Sequence, residues 1–270
     1  GEKEKTIDVL KQYLASNSDK VEAYMELANA YKQFGQFDEA IEMYQQASVM
    51  SNDNYIADIS IASTIAIQGD YNQSLSMLNK MLQDDNTDHK NLMVNNEILL
   101  IYMQTGQISK ALSALEKMKQ PAKKILPPLN YIFSMDGTTV QLLILQGKYK
   151  EALEYTQSIR ENTKPPFNNI AMVFNIMTYL SMQDKIKFQT ELNSFEQFLE
   201  TFPMPMYKSF ILSWKAKIEY WNGDLESALK QLDLAIESSK QSIVNLQTNN
   251  IVDQYIFNKA EILYELGNHN

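Results

Sequence analysis

Along most of the chain, apolar residues recur every three or four positions, which gathers them on one face of a helix rather than alternating them across a strand. In the stretch 24–47, Tyr24, Leu27, Ala28 and Tyr31 make one such face. Gly35 follows, and Phe37, Ala40, Ile41, Tyr44 and Ala47 make a second. Glycine takes the left-handed conformation that ends a helix, which side chains with a Cβ resist. The pattern therefore predicts two short helices packed antiparallel. Asp19, with Glu22 three residues later, has the form of a capping box for the first.

The hairpin is then written again. Gly35, Gly69, Gly106, Gly147, Gly223 and Gly267 sit in matching surroundings, at spacings of 34, 37, 41, 76 and 44 residues. The 76-residue gap is twice 38 and leaves room for one repeat without its glycine, near Gln183 and Asp184. A period of this size marks a solenoid or similar array. Ile61, Ala62, Ile65, Tyr71, Ser74 and Leu78 stand 34 residues after their counterparts. Ile98, Leu99, Tyr102, Ile108, Ala111 and Leu115 continue the pattern after a three-residue insertion, and Val140, Leu143, Tyr149 and Ala152 after a longer one. The segment around Val173, Ile176, Leu180 and Ile186 is degenerate; Ala216, Tyr220, Leu225, Ala228, Leu232 and Ala235 restore the pattern. Ile7, Leu10 and Leu14 read as the second helix of a preceding repeat, and the last repeat stops just after Gly267.

One helix pair cannot cover its own apolar face, so neighbours must stack on it, and about three or more repeats are needed for stability. Small residues at Ala28, Ala62 and Ala216, with Ala40, Ala111, Ala152 and Ala228, let helices approach closely. Proline segments at 120–128, 164–166 and 202–205 are expected to interrupt the helices. Residues 1–270 read as one all-α solenoid of six to seven repeats, irregular after residue 106, with a subdomain joint near 120–128.

The pattern aromatic-x2-Leu-small-x2-Tyr, then Ala-x3-aromatic, carried here by Tyr24, Leu27, Ala28, Tyr31, Ala40 and Tyr44, resembles the tetratricopeptide repeat. The proline that usually closes that repeat is missing, with Asn52 and Asn86 in its place. The resemblance implies an α-α superhelix whose first helices line a concave groove. Its groove-facing candidates are Met25, Asn29 and Lys32; Ile59, Ser63 and Ala66; Asn96, Leu100 and Met103; and Gln141 and Ile144. Asn29 and Lys32 are similar to the lysine-asparagine clamp that some members use for a terminal carboxylate. Ile59, Ala66, Leu100 and Met103 do not continue it, so an apolar peptide or a helix is the expected ligand. The implied role is a non-catalytic scaffold or adaptor that binds a protein or peptide partner. The alternative is a regulatory or sensor segment of a larger signalling protein such as a kinase, cyclase or transcription regulator.

Composition narrows the alternatives. A net charge of −9 argues against nucleic acid as a partner, because such binding needs excess cationic side chains. Arg160 is the sole arginine, which excludes a multi-guanidinium anion site. There is no cysteine, hence no disulfide, thiolate nucleophile or zinc-thiolate cluster. His89, expected in a turn between repeats, and His269 belong to no catalytic or metal motif, and no phosphate-binding glycine motif occurs. The chain is therefore not expected to be an enzyme, and no cofactor or metal is expected. Glu39 and Glu42 read as solvated acids. The loop Asp84–His89 lacks the glycine and glutamate of a calcium loop and reads as a polar turn, and Lys117, Lys119, Lys123 and Lys124 read as a solvated connector. Methionines and tyrosines mostly fall at core spacing. No apolar run reaches the ~20 residues of a membrane span. The chain begins at Gly1 rather than Met and is read as processed or excised, so targeting signals stay unread. The resemblance implies a soluble, cytoplasmic protein, with an exported form left open.

Overall fold

The computed structural model describes residues 1–50, 55–83, 87–241 and 248–267. Among them the regular structure is helical, without strands, and it falls into two compact units, Gly1–Gln146 and Gly147–Asn270. In the N-terminal unit, α1 (Glu2–Ser16) precedes three hairpins. These are α2 (Val21–Gln33) with α3 (Phe37–Met50), α4 (Tyr55–Ile67) with α5 (Tyr71–Met81), and α6 (Asp88–Gln104) with α7 (Ile108–Ile125). The short α8 (Pro128–Tyr131), a π-helical turn at Ile132–Asp136 and α9 (Gly137–Leu145) complete it. The C-terminal unit runs through α10 (Tyr149–Asn162), α11 (Ala171–Ser181), α12 (Lys185–Thr201), α13 (Lys208–Asn222), α14 (Leu225–Gln241) and α15 (Thr248–Glu265). Within each unit, helices adjacent in sequence pack on one another. The fold is the all-α, tetratricopeptide-like solenoid of helix pairs.

The turns at Gly35, Gly69, Gly106 and Gly223 share one hydrogen-bond frame. At Gly35 (φ 75°) the Gly35 amide donates to the Lys32 carbonyl at 3.1 Å and the Gln36 amide to the Tyr31 carbonyl at 2.9 Å. Those two bonds close off carbonyls that the end of a helix leaves open. The expected repeat without a glycine has the same frame: Gln183 lies at φ 56°, its amide donates to Leu180 at 3.1 Å, and the Asp184 amide donates to Tyr179 at 3.0 Å. The Asp184 carboxylate then accepts from the Lys187 amide at 3.1 Å and caps α12.

Packing within the hairpins follows the same register. Ala28 and Ala40 are fully buried where α2 and α3 approach, with Tyr44 and Ala47 beside them. In the next hairpin Ser74 takes the place of Ala40. Its buried hydroxyl donates to the Ala62 carbonyl at 2.7 Å, so the added polar atom is satisfied. In the degenerate repeat the positions of Ala28 and Ala40 fall to Ile176 and Phe188, both fully buried. Aromatic rings fill the wider space that follows, with Phe195 edge-on to Tyr207 at 5.1 Å and Phe188 edge-on to Trp221 at 5.3 Å.

Several local expectations are corrected. Asp19 does not cap α2: the N-cap is Lys20, with no side-chain bond, because a turn from Asn17 to Lys20 leaves Asp19 one residue short. Pro121 does not interrupt α7 but lies inside it. The carbonyl that loses its donor belongs to Lys117, an exposed residue. The segment 120–128 thus lies within the N-terminal unit, and the two units divide at Gln146 and Gly147. His89 sits in the first turn of α6, since Thr87 caps that helix by accepting from the Lys90 amide at 3.2 Å. The lysines before Pro127 form the end of α7 rather than a connector. Lys124 pairs with Asp88 at 2.9 Å and Lys119 with Glu116. Asn52, Asn86, His269 and residues 84–86 of the acidic loop lie outside the described residues. Among the described residues, no helix is long and apolar enough to cross a membrane.

Candidate functional site

In the N-terminal unit, α2, α4 and α6 bring three polar side chains into one line. Lys32 donates from Nζ to Ser63 Oγ at 3.0 Å, and the Glu97 carboxylate lies beside both. Burial lowers the Lys32 pKa, partly offset by Glu97. Burial raises that of Glu97, partly offset by Lys32 and Ser63. Both shifts disfavour the charged forms, the sign expected when desolvation exceeds attraction between partners.

The other candidates on this face divide into open and closed positions. Asn29 is exposed, but its side chain accepts from the Tyr44 hydroxyl at 2.6 Å. Burial pushes that hydroxyl up to about 12. Ile59 and Ala66 are each 5% exposed and belong to the core of α4–α7. Met25 packs against the first core, and Met103 is half-buried against the second. Asn96, Leu100 and Gln141 are exposed and Ile144 is half-buried. Sequence reasoning missed Glu97. It compared residues at equal distances before each glycine, whereas Lys32, Ser63 and Glu97 stand three, six and nine residues before theirs. The cluster crosses the helices diagonally.

The C-terminal unit holds a cleft of about 1300 Å³ between α13, α15 and the end of α11. Its walls carry Phe210, Trp214, Trp221 and Tyr255, with Lys217 and Glu261 among the charged residues. Lys217 Nζ lies 4.7 Å from the Tyr220 ring centroid and 5.8 Å from that of Trp221. Tyr220 donates to Glu265 Oε1 at 2.6 Å, and that carboxylate holds the phenol pKa above its ordinary value. Tyr255 is 4% exposed, and its enclosed hydroxyl lies near those of Ser209 and Ser213. Burial raises its pKa, so it remains a neutral phenol able to donate or accept.

None of these cleft residues was among the sequence candidates, yet a signal for them existed. The groove positions used for the first repeat lie ten, six and three residues before its glycine. Counted back from Gly223, they give Ser213, Lys217 and Tyr220, all of which line the cleft. Counted back from Gly267, the last two give Glu261 and Tyr264, which also line it.

Comparison with known proteins agrees with this architecture. The family model described as the ARM repeat of tetratricopeptide repeat protein 21 matches residues 2–104. A tetratricopeptide repeat protein from Parabacteroides merdae is similar in structure, with a TM-score of 0.56 at 13% identity, over 93% of this chain and 91% of that one. The tetratricopeptide-like repeats of a kinesin light chain from Podospora anserina align with a TM-score of 0.51 at 17% identity, over 69% of this chain and 98% of that one. No curated protein matches the chain significantly. At these identities the structural likeness carries the fold alone.

Proposed function

Since the chain is a tetratricopeptide-like repeat protein, we propose that it is a non-catalytic adaptor that holds a segment of a partner protein in the cleft of its C-terminal unit. The cleft supports this reading most directly. It is large enough for several residues and walled by aromatic rings. An apolar side chain seated between Phe210, Trp214 and Trp221 supplies the anchor. Lys217, Glu261 and Glu265 set which charges are admitted at the rim. The N-terminal face is the weaker candidate, because Asn29, Lys32 and Ser63 already spend their polar groups on Tyr44, Glu97 and one another.

The test is selection of short peptides from a random phage-displayed library on the intact chain, followed by titration of the selected peptides. Trp221→Ala is expected to weaken them about tenfold, the cost of a lost aromatic anchor. Tyr255→Phe should weaken them less. Peptides indifferent to both changes but lost on Leu100→Asp would move the site to the N-terminal face and overturn the assignment.

A further inference from the structure

The charged groups of the cleft are divided by sign between two of its walls. Lys217 on α13 stands six residues before Gly223 and Glu261 on α15 six before Gly267, so these two first helices carry opposite charges at the same offset. Both residues line the cleft, as does Glu265, one helical turn beyond Glu261. None of the three forms an ion pair with a described residue, whereas Lys215 is taken by Glu196 at 2.6 Å and Lys259 by Asp233. The cationic side is reinforced by Lys185, whose Nζ lies 5.6 Å from the centroid of the Trp221 ring that Lys217 also approaches. Lys217 is held in place as well: it lies over the Tyr220 ring, and the Tyr220 hydroxyl is bonded to Glu265. The accessibility of the two acids is a property of their offsets. Glu261 stands where Asn29 and Leu100 stand, and Glu265 where Gln33 and Ile67 stand, all exposed within hairpins that have both their helices.

On the reading that the cleft is the binding site, we infer that its partner is a segment with an apolar side chain between a basic and an acidic residue, seated with the base toward Glu261 and Glu265 and the acid toward Lys217. Opposite charges that face each other across a slot without reaching each other are each left to a third party, and a segment lying between α13 and α15 meets both at once. Turned round, the same segment brings acid to acid and base to base, and like charges between apolar walls repel more strongly than on an open surface. The rings of Phe210 and Trp214 hold an apolar side chain in either case, so the charges alone set the direction. Glu261 is the stronger of the two acids, because one oxygen of Glu265 already accepts from Tyr220.

Peptides selected on the intact chain from a random phage-displayed library should carry a basic and an acidic residue on opposite sides of an apolar one. Glu261→Lys should weaken a selected peptide about tenfold, and changing the peptide's basic residue to an acid should restore it. Lys217→Glu should behave in the same way toward the peptide's acidic residue, and the crossed combinations should restore nothing. Peptides weakened by Trp221→Ala but indifferent to both charge reversals overturn this inference and leave the cleft as the site. Peptides indifferent to Trp221→Ala, or a library that yields none, overturn both. Should either reversal lower the helical circular dichroism, Glu261→Gln and Lys217→Met replace them, each expected to cost about threefold and to make the matching charge on the peptide dispensable.

Discussion

The hairpin closed at Gly35 and the one closed at Gln183 have the same turn, down to the pair of amide bonds that finish the first helix, yet their side chains share almost nothing. In the first, glycine relieves the turn and Ala28 meets Ala40. In the second, glutamine holds a left-handed conformation and Ile176 and Phe188 stand where the alanines were. The contrast separates two things the repeat pattern combines. The backbone turn depends on hydrogen bonds that any residue can make, at a cost of roughly 1–2 kcal/mol for a side chain in that conformation. Close approach depends on volume, and a hairpin built on large residues fills the space with rings instead.

The comparison can be broken most severely at Phe188. Phe188→Ala leaves a cavity in a site shaped for a ring, and should lower stability by about 3–5 kcal/mol in urea unfolding followed by circular dichroism. A loss near zero would mean that α11 and α12 close up on a small residue after all. Ala40→Leu probes the opposite case, overpacking the close contact at a cost of about 1–3 kcal/mol in the same measurement. A parent-like midpoint there would remove close approach as the basis of the first hairpin.

Smaller effects sharpen the turns. Gly35→Ala should cost about 1–2 kcal/mol, all of it conformational, because a Cβ at Gly35 meets nothing within 4 Å. Gln183→Gly should raise stability by about 0.5–1 kcal/mol, the relief of strain less the added freedom of the unfolded chain. Equal and opposite shifts would be too simple, since glycine also loosens the unfolded state. The smallest expected effect concerns Glu97. A folded pKa above its unfolded value means the native state holds the proton more tightly. Its contribution is therefore full below the unfolded value of 4.5 and is lost as pH rises through the raised one. Glu97→Gln should remove that slope from a pH series of urea midpoints, and an unchanged slope would place its origin elsewhere.

The periodic glycines and alanines made most of the fold legible, because they sit where sterics leave little choice. The degenerate repeat was legible by arithmetic alone: the doubled spacing located Gln183, while Ile176 and Phe188 gave no sign of the pattern they occupy. The candidate site was less legible. Lys32 and Ser63 were found because three and six residues before the glycine are both groove positions, and Glu97, nine before, was missed because contact across neighbouring helices runs diagonally. The cleft went unread for a plainer reason: the groove positions were not carried past the fourth glycine, where Lys217, Tyr220 and Glu261 wait at the same offsets. Tyr255 could not have been found that way, since it stands twelve residues before Gly267, at none of those offsets.

Trp214 and Trp221 are the only indoles in the chain, and both stand on α13 in the cleft wall. Light absorbed selectively by tryptophan therefore interrogates this one helix. Quenching or a spectral shift of its emission would report occupancy without any label, while events confined to the N-terminal unit would pass optically unseen.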